Sequence, residues 1–159
     1  RMLERFAASP AGGWFFVEVA NRVDPFLLKR TRGRFSVAVG QPVLLLTVKG
    51  AKSGQPRETP LLYTTDGDRL VVVASKAGSP SHPAWYHNIR ANPTVDILAP
   101  RGRSGRYVGH EAEGPERARL WEEANDLYAG YDVYQGRAGE RRIPVIVFSR
   151  VWPARWVPG

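Results

Sequence analysis

The chain has 159 residues, 43% of them hydrophobic and 24% charged, which is typical of one folded domain with a sizeable core. Cysteine is absent, which excludes disulfides and thiolate metal sites and fits a reducing cytoplasm. No apolar run reaches the roughly 18 residues that cross a bilayer, and the first residues do not follow a signal-peptide pattern. The formal net charge of +8 favours an anionic partner, which leaves nucleic acid, an anionic membrane face and a polyanionic small molecule open.

Residues 1–34 are predicted to form a helical arm. Phe15, Val19 and Val23 follow helical spacing, and Asp24-Pro25 is typical of the start of a second helix. The aromatic face of this arm is followed by a basic cluster, a combination that suits the inner face of a cell membrane. A helix that covers the core of its own domain is the alternative, and the sequence leaves both open.

Seven runs rich in β-branched and apolar residues predict seven strands, at residues 35–39, 43–49, 58–65, 69–75, 94–99, 104–113 and 144–150. Asp66-Gly67-Asp68 predicts a hairpin between the third and fourth of these runs, 58–65 and 69–75. Residues 82–91 and 115–127 are predicted helices. Many short strands with few helices indicate a mainly β fold, a small barrel with flanking helices over residues 35–150, followed by a tail at 151–159.

The connection between the second and third predicted strands is the most informative segment. Residues 50–57 read Gly-Ala-Lys-Ser-Gly-Gln-Pro-Arg. Glycine lets the backbone approach a ligand closely, and exposed N–H groups beside Lys52 and Arg57 favour phosphate or carboxylate binding. An ordinary charged hairpin turn is the alternative interpretation.

Two further segments carry chemical groups near strand or helix ends. Ala74-Ser75-Lys76 offers a hydroxyl and an ammonium where a buried strand ends. An ordinary transition from strand to loop, without a ligand, is the alternative interpretation of this segment. Trp85 and Tyr86 lie on the short predicted helix, where core packing is the commoner use of such side chains. His82 and His87 are five residues apart, a poor helical spacing for a shared metal ion, so no metal site is expected.

Three tyrosines at intervals of three, Tyr128, Tyr131 and Tyr134, are the last candidate. They spread over about 120° if the helix continues past Gly130. Such a stripe is usually core, but the polar and glycine-containing sequence around it is loop-like. A mobile lid that closes over a flat apolar substrate is therefore the functional alternative.

Taken together, these motifs resemble the deazaflavin-dependent nitroreductases, the class A coenzyme F420-dependent oxidoreductases of actinobacteria. The resemblance covers residues 40–149 and rests on Gly-x-Lys-Ser-Gly-x-Pro-Arg, Ala-Ser-Lys, Pro-x-Trp-Tyr-x-Asn and the tyrosine series. It implies a split β-barrel related to flavin-binding barrels. It also implies an oxidoreductase that transfers hydride from reduced F420 to quinones, nitroaromatics or activated enones.

The resemblance also implies roles for particular residues. The coenzyme phosphate and tail would be held by Lys52, Ser53, Gly54 and Arg57. The deazaflavin ring and its surroundings would be contacted by Pro60, Leu62, Ala74, Ser75 and Lys76. The adjoining helix would be fixed by Trp85, Tyr86 and Asn88. The substrate side would be covered by Tyr128, Tyr131 and Tyr134, with Ser75 near the reacting group. Ala51 stands where the best-known member has arginine, so one anion contact is missing.

The basic composition agrees with an anionic coenzyme, and hydride transfer explains why no acid–base triad stands out. Two rival functions remain at this stage. One is a flavin mononucleotide enzyme on the same barrel, because a basic phosphate loop serves both cofactors. The other is a nucleic-acid-binding barrel that uses Arg101, Arg103, Arg106 and Tyr107. The resemblance favours the small-molecule acceptor and no nucleic acid.

Overall fold

The computed structural model describes residues 42–152. The described strands are β1 (Val43–Lys49), β2 (Pro56–Leu62), β3 (Thr64–Asp66), β4 (Arg69–Val73), β5 (Thr94–Leu98), β6 (Gly105–Glu111) and β7 (Val145–Arg150). The described α-helices are α1 (Ala84–Ala91), α2 (Gly114–Leu127) and α3 (Gly130–Arg137). The predictions of a helical arm at 1–34, of a strand at 35–39 and of the end of the tail lie outside the described residues.

The strands form one antiparallel sheet in the order β2-β1-β5-β6-β7-β4-β3. Its two edges, β2 and β3, are consecutive in the chain and are separated only by Tyr63. The edges must therefore meet, and the sheet curls into a barrel. The predicted strand 58–65 is thus corrected to two strands, because the extended segment exchanges its partner β1 for β4 at Tyr63.

Every second side chain of a strand points to the same face of the sheet, and the side chains on one face fill the barrel interior. Leu44, Leu46 and Val48 of β1 point inward, and they pack with inward side chains of β4, β5, β6 and β7. Helix α1 supplies Trp85 and Ile89 to the same cluster. Each fully buried leucine, isoleucine or phenylalanine contributes about 1.5–3 kcal/mol through removal of apolar area from water. Helix α1 is consequently held as part of the barrel core.

Helices α2 and α3 cover the outer face of β4 and β7. A second apolar cluster joins Val71, Val73, Val145 and Val147 of the two strands to buried side chains of the helices. The predicted class, a mainly β barrel with flanking helices, is confirmed. Helix α3 is the exception, because the glycines and polar residues of this segment had indicated a loop.

The remaining predicted elements are found with small shifts at their ends. The run 69–75 stops at Val73, because the chain bends at Ser75, and the predicted helix 82–91 begins only at Ala84. The hairpin prediction at Asp66-Gly67-Asp68 is confirmed. Asp66 pairs with Arg69, and Gly67 has a φ of +63° that glycine adopts without strain.

The strand directions place several connections at one end of the barrel, which we call the site rim. Strands β1 and β4 end there, and β2 and β5 begin there. The rim therefore carries residues 50–57, which we call the basic loop and whose last two residues begin β2, and residues 75–79, which we call the Ser75 turn. Helix α1 lies at the same rim, since it connects the Ser75 turn to β5.

Candidate functional site

The basic loop is held by its own backbone. The Gly50 N–H donates to the Gln55 carbonyl at 2.8 Å, and the Gly54 N–H donates to the Gly50 carbonyl at 2.9 Å. Gly54 has a φ of +68°, and a Cβ atom at Gly50 would lie 2.6 Å from the Ser53 hydroxyl oxygen. Glycine avoids backbone strain at position 54, and at position 50 it leaves the Ser53 hydroxyl the space that an added Cβ atom would make it give up.

The loop presents its side chains to solvent. Lys52, Ser53, Gly54 and Arg57 are all exposed. The Arg57 guanidinium donates to the Ser53 hydroxyl at 3.4 Å. Among residues 42–152, no carboxylate forms an ion pair with Lys52 or Arg57. Two cations and a hydroxyl in one tight turn are a donor set that fits a phosphate or carboxylate group.

Helix α1 fixes the loop from the side through Asn88. Its side-chain oxygen accepts the Ala51 N–H at 2.9 Å, and the Asn92 side-chain amide donates to the Lys49 carbonyl at 3.3 Å. The amide oxygen of Asn88 thus orients the loop. The implied role of fixing the helix against its neighbours agrees with this geometry, although any direct contact with the coenzyme stays a prediction.

The aromatic residues of α1 do not reach the surface of the site. Trp85 and Tyr86 are 6% and 5% exposed and belong to the barrel core. The Tyr86 hydroxyl donates to the Glu111 carboxylate, and burial together with this carboxylate raises the Tyr86 pKa above its ordinary value. In this structure they support the site through the position of α1.

The Ser75 turn has an unusual backbone. Lys76, Ala77 and Gly78 have φ values of 46°, 53° and 79°, so two residues with side chains occupy the left-handed region. Such residues cost free energy and persist only where their surroundings hold them. Ala74 is fully buried, Ser75 is half-buried and Lys76 is exposed. No described residue hydrogen-bonds to the Ser75 hydroxyl, whereas the Lys76 ammonium donates to the Ser81 hydroxyl at 3.2 Å.

Arg141 holds this turn, although no sequence motif had marked it as a site residue. Its guanidinium donates to the carbonyls of Ser75 at 2.7 Å, Ser79 at 2.8 Å and Ala74 at 3.1 Å, and it contacts His82 Nδ1 at 3.1 Å. In the sequence the residue is one of an arginine pair directly before the last strand. That signal is indistinguishable from the generally arginine-rich composition.

The two residues implied to line the coenzyme ring lie on β2. Pro60 pairs with Leu45 and Leu62 pairs with Val43, which places both on the outer face of the barrel. Pro60 is buried and Leu62 is half-buried. Ala74, which follows β4, is buried in the interior cluster, and Ser75 begins the turn with helical φ and ψ values of −74° and −38°. Pro60 and Leu62 therefore share the outer face of β2, whereas Ser75 belongs to the turn at the site rim.

The tyrosine series is buried in the second apolar cluster. Tyr128, Tyr131 and Tyr134 are 6%, 6% and 5% exposed, and the latter two lie on α3. The loop-like interpretation of this segment is corrected, because the side chains pack on the outer face of β4 and β7. Whether these residues act on a substrate stays a prediction.

The tyrosines also contact one another and the Ser75 turn. The hydroxyls of Tyr128 and Tyr134 are 3.0 Å apart, and the rings of Tyr128 and Tyr131 meet edge to face at 5.1 Å. Burial raises the pKa of both Tyr131 and Tyr134, so these phenols are neutral at physiological pH. A Cβ atom at Gly78 would lie 2.8 Å from the Tyr134 carbonyl, which shows how closely α3 approaches the turn.

The arginines proposed for nucleic-acid binding lie at the other end of the barrel. Tyr107 is only 1% exposed and donates its hydroxyl to the Arg103 carbonyl, so its ring is not available to stack on a base. Arg103 donates to the Tyr63 hydroxyl, and Arg106 pairs with Asp96. This geometry removes the aromatic platform on which the nucleic-acid alternative depended.

Two histidines, His82 before α1 and His110 on β6, form contacts with neighbouring protein side chains. His82 packs against the Tyr86 ring at 4.5 Å between centroids, and burial followed by the Arg141 charge lowers its pKa. His110 lies 3.0 Å from the Glu116 carboxylate.

None of the helices formed by residues 42–152 is long and apolar enough to cross a membrane.

Residues 21–150 match the family described as F420H(2)-dependent quinone reductase. A quinone reductase of that description from Mycobacterium tuberculosis is 41% identical over 133 residues, which cover 81% of this chain and 89% of that protein.

Two solved structures are also similar. One, described as an F420-H2 dependent reductase, has a TM-score of 0.60 and 39% identity over 68% of this chain and 94% of its own. Another, described as a domain-swapped dimer, has a TM-score of 0.63 and 35% identity over 79% of this chain and 93% of its own. The chain belongs to the F420-dependent quinone reductase family. It is accordingly an oxidoreductase with coenzyme F420 as its cofactor, and the resemblance recognised from the motifs is confirmed.

Proposed function

We propose that the protein transfers hydride from reduced F420 to a quinone at the site rim, with nitroaromatics and activated enones as further acceptors. The observation that carries this proposal is the position of the basic loop and the Ser75 turn at one end of the barrel. Helix α1, about 12 Å long, lies between them. The family and its relatives support the quinone as acceptor.

The basic loop is the proposed anion site. Lys52, Ser53, Gly54 and Arg57 hold the phosphodiester and the start of the acidic tail, and Lys76 adds a cation from the Ser75 turn. The coenzyme is strongly anionic, so these exposed cations both attract and bind it. Ala51 presents only its N–H, which Asn88 accepts, and the arginine contact of the best-known relative is therefore absent from the loop.

The outer face of the barrel wall is the proposed place of the deazaflavin ring. Pro60, Leu62 and Ala74 form or support its apolar surroundings, and Trp85, Tyr86 and Asn88 keep α1 and the loop in place. The bound coenzyme supplies the hydride, so the protein is required to position, exclude water and provide a hydrogen-bond donor. This requirement agrees with a site that lacks a paired acid and base.

Ser75 is the proposed donor to the acceptor oxygen on which negative charge develops. Its hydroxyl is half-buried and has no hydrogen-bond partner among residues 42–152, so it is available to an incoming acceptor. The tyrosines Tyr128, Tyr131 and Tyr134 close the substrate side. Because they are buried here, their direct contact with an acceptor requires that α3 shift away from the sheet.

A fluorescence titration of the purified protein with F420 and with flavin mononucleotide tests the cofactor site. We expect tight F420 binding and much weaker flavin mononucleotide binding. A parallel titration with a random oligonucleotide in the same salt should show no binding. Equal or stronger binding of flavin mononucleotide would identify the protein as a flavin enzyme on the same barrel.

Steady-state oxidation of reduced F420 with a quinone, a nitroaromatic and an enone tests the acceptor. Removal of a donor to a developing oxyanion costs on the order of 10²-fold in rate. We therefore expect Ser75→Ala to lower kcat by about that factor on the quinone without change in F420 affinity. Unchanged kcat in this variant would leave water as the donor.

The arm at residues 1–34 is proposed to attach weakly to anionic lipid at the inner face of the cell membrane, where quinones dissolve. This part of the proposal rests on the sequence alone. Deletion of residues 1–30 should abolish co-sedimentation with anionic vesicles and leave F420 affinity intact. If the intact chain does not sediment with the vesicles, the arm instead covers the core.

A further inference from the structure

We propose that Arg141 is the positioning residue of the F420 site, because it holds the Ser75 turn in its left-handed conformation and joins it to the segment that enters α1. This inference rests on the proposed function. It adds a residue that neither the motifs nor the family resemblance had assigned.

The guanidinium makes four contacts along one short stretch of chain. It donates to the carbonyls of Ala74, Ser75 and Ser79, and its Nη1 atom also lies 3.1 Å from His82 Nδ1. Only arginine carries enough N–H groups in a rigid plane to satisfy all of these acceptors. Lysine has the same charge, but its single ammonium cannot span the turn.

The contacts restrain a backbone that would otherwise relax. Lys76 and Ala77 both have positive φ values, and neither is glycine. Left-handed residues with side chains are disfavoured unless the surroundings hold them. The carbonyls bound by Arg141 flank these two residues on both sides. Loss of the guanidinium therefore frees the turn, and with it the positions of the Ser75 hydroxyl and the Lys76 ammonium.

His82 makes this support dependent on pH. Nδ1 accepts the Arg141 N–H only while the imidazole is neutral in the Nε2–H form. The groups that face it are Arg141, Tyr86, His87 and Glu111, with Arg90 one turn further along α1. Burial and the Arg141 charge lower the His82 pKa, so the ring is neutral at physiological pH and becomes protonated in acid. Protonation places two cations against each other and removes the acceptor.

The main experiment measures F420 affinity and kcat for Arg141→Lys, with Arg142→Ala as the matched control. Arg142 is the adjacent arginine and is exposed. A misplacement of about 1 Å at a reacting centre costs on the order of 10²-fold. We expect Arg141→Lys to lose at least about tenfold in F420 affinity and more in kcat, and Arg142→Ala to stay within about twofold.

A double-mutant cycle separates positioning from general loss of structure. If Arg141 acts through Lys76, then Arg141→Lys should cost less F420 affinity in a Lys76→Ala background than in the parent protein. The inference would be overturned if the loss of F420 affinity in the double variant equals the product of the losses in the two single variants. So would an Arg141→Lys variant with parental affinity and kcat, although the proposed function would then stand. A parent protein that does not bind F420 would instead overturn the proposed function.

The pH profile gives a test that does not require any Arg141 variant to fold. F420 affinity of the parent should decline in acid as His82 is protonated, below the ordinary histidine value of 6.5. In His82→Asn the side-chain oxygen takes the acceptor position and does not titrate, so this acid limb should disappear. An acid limb of the same shape in both proteins would overturn the role given to the Arg141–His82 pair.

Discussion

The two sides of the site rim are held in different ways. The basic loop is exposed, and its backbone closes on itself with one further bond from Asn88. The Ser75 turn is packed beneath α3, and the side chain of Arg141 holds it. The first side is thus held mainly by main-chain bonds and exposes its two cations, whereas the second depends on a side chain from elsewhere in the sequence to hold its main chain.

This difference separates binding from stability. A loop fixed by main-chain bonds can lose Lys52 or Arg57 without a change in fold. The packed side offers no such freedom, because its helix, turn and sheet share one apolar cluster. We therefore expect substitutions on the packed side to reduce folding free energy first, and substitutions on the loop to reduce coenzyme affinity alone.

The largest effect is expected at Tyr131, the centre of the packed side. Truncation of a buried aromatic costs about 3–5 kcal/mol in cavity and transfer terms. Tyr131→Ala should therefore lower the free energy of unfolding by that amount in urea denaturation. Tyr131→Phe keeps the ring and should retain most of the stability.

The Phe variant also tests the proposed substrate role of this tyrosine. If Tyr131→Phe folds normally but loses about 10²-fold in kcat on a quinone, the hydroxyl reaches the acceptor. The packed side would then take part in chemistry directly, and the contrast with the loop would not hold.

Gly78 comes next, at the point where the Ser75 turn meets α3. A Cβ atom there would lie 2.7 Å from the Arg137 Cβ atom and 2.8 Å from the Tyr134 carbonyl, at a φ of +79°. Overpacking and backbone strain together predict a loss of about 2–4 kcal/mol for Gly78→Ala in chemical denaturation.

The matched control is Gly67→Ala in the β3–β4 hairpin. Gly67 also has a positive φ, of +63°, but nothing lies within 4 Å of its added Cβ atom. It should lose only about 1 kcal/mol from strain. Equal losses at the two positions would mean that the turn can move away from α3, and that the packed side is looser than its contacts indicate.

Much of the fold was predictable from local patterns. Runs of apolar and β-branched residues located the strands, Asp66-Gly67-Asp68 located the hairpin, and helix α2 was predicted from the residues at its start. The closure of the barrel at Tyr63 was not, because an extended segment that exchanges partners has the same alternation on both sides of the exchange. Helix α3 was missed because tertiary burial of its tyrosines outweighs the weak helix propensity of its glycines.

The site likewise contains residues that local sequence patterns predicted and one that they did not. The basic loop was visible because glycine, lysine and serine in one turn form a local pattern. Arg141 was not visible, since it lies 66 residues from Ser75 and acts through main-chain carbonyls, which carry no sequence signal. The structure therefore adds mainly the side chains that hold the site from a distance.

On the loop side, Lys52→Ala and Arg57→Ala should each weaken F420 binding by about 1–3 kcal/mol, the scale of a charge-assisted hydrogen bond. Both side chains are exposed, so the melting temperature should change little. A fluorescence titration and a thermal melt of the same samples measure the two quantities. A variant with normal F420 affinity and a much lower melting temperature would show that its side chain is structural.

The smallest effect concerns the ion pairs between the β3–β4 hairpin and α2, since the basic loop forms no such pair within residues 42–152. Asp66 accepts two hydrogen bonds from Arg119, at 2.9 and 3.2 Å, and a further bond from Arg69. The Arg69 guanidinium also donates to the Glu116 carboxylate, and this bond joins the β3–β4 hairpin to α2. The bonds from Arg119 and Arg69 lower the pKa of Asp66 to about 2. These groups are partly exposed, so their contribution to stability is small.

The direction of the pH dependence follows from this lowered pKa. In the unfolded chain Asp66 titrates near its ordinary value of 3.8, so the unfolded state binds a proton first as the pH falls. The stabilisation is therefore fully present above about pH 4 and is lost as the pH falls toward 2. Asp66→Asn should melt lower than the parent at pH 7, by no more than about 3 °C, and the difference should close by pH 2. Lys52→Ala, which breaks no ion pair, should follow the parental profile throughout. A constant difference between Asp66→Asn and the parent over this range would show that Arg69 and Arg119 order the hairpin through packing alone.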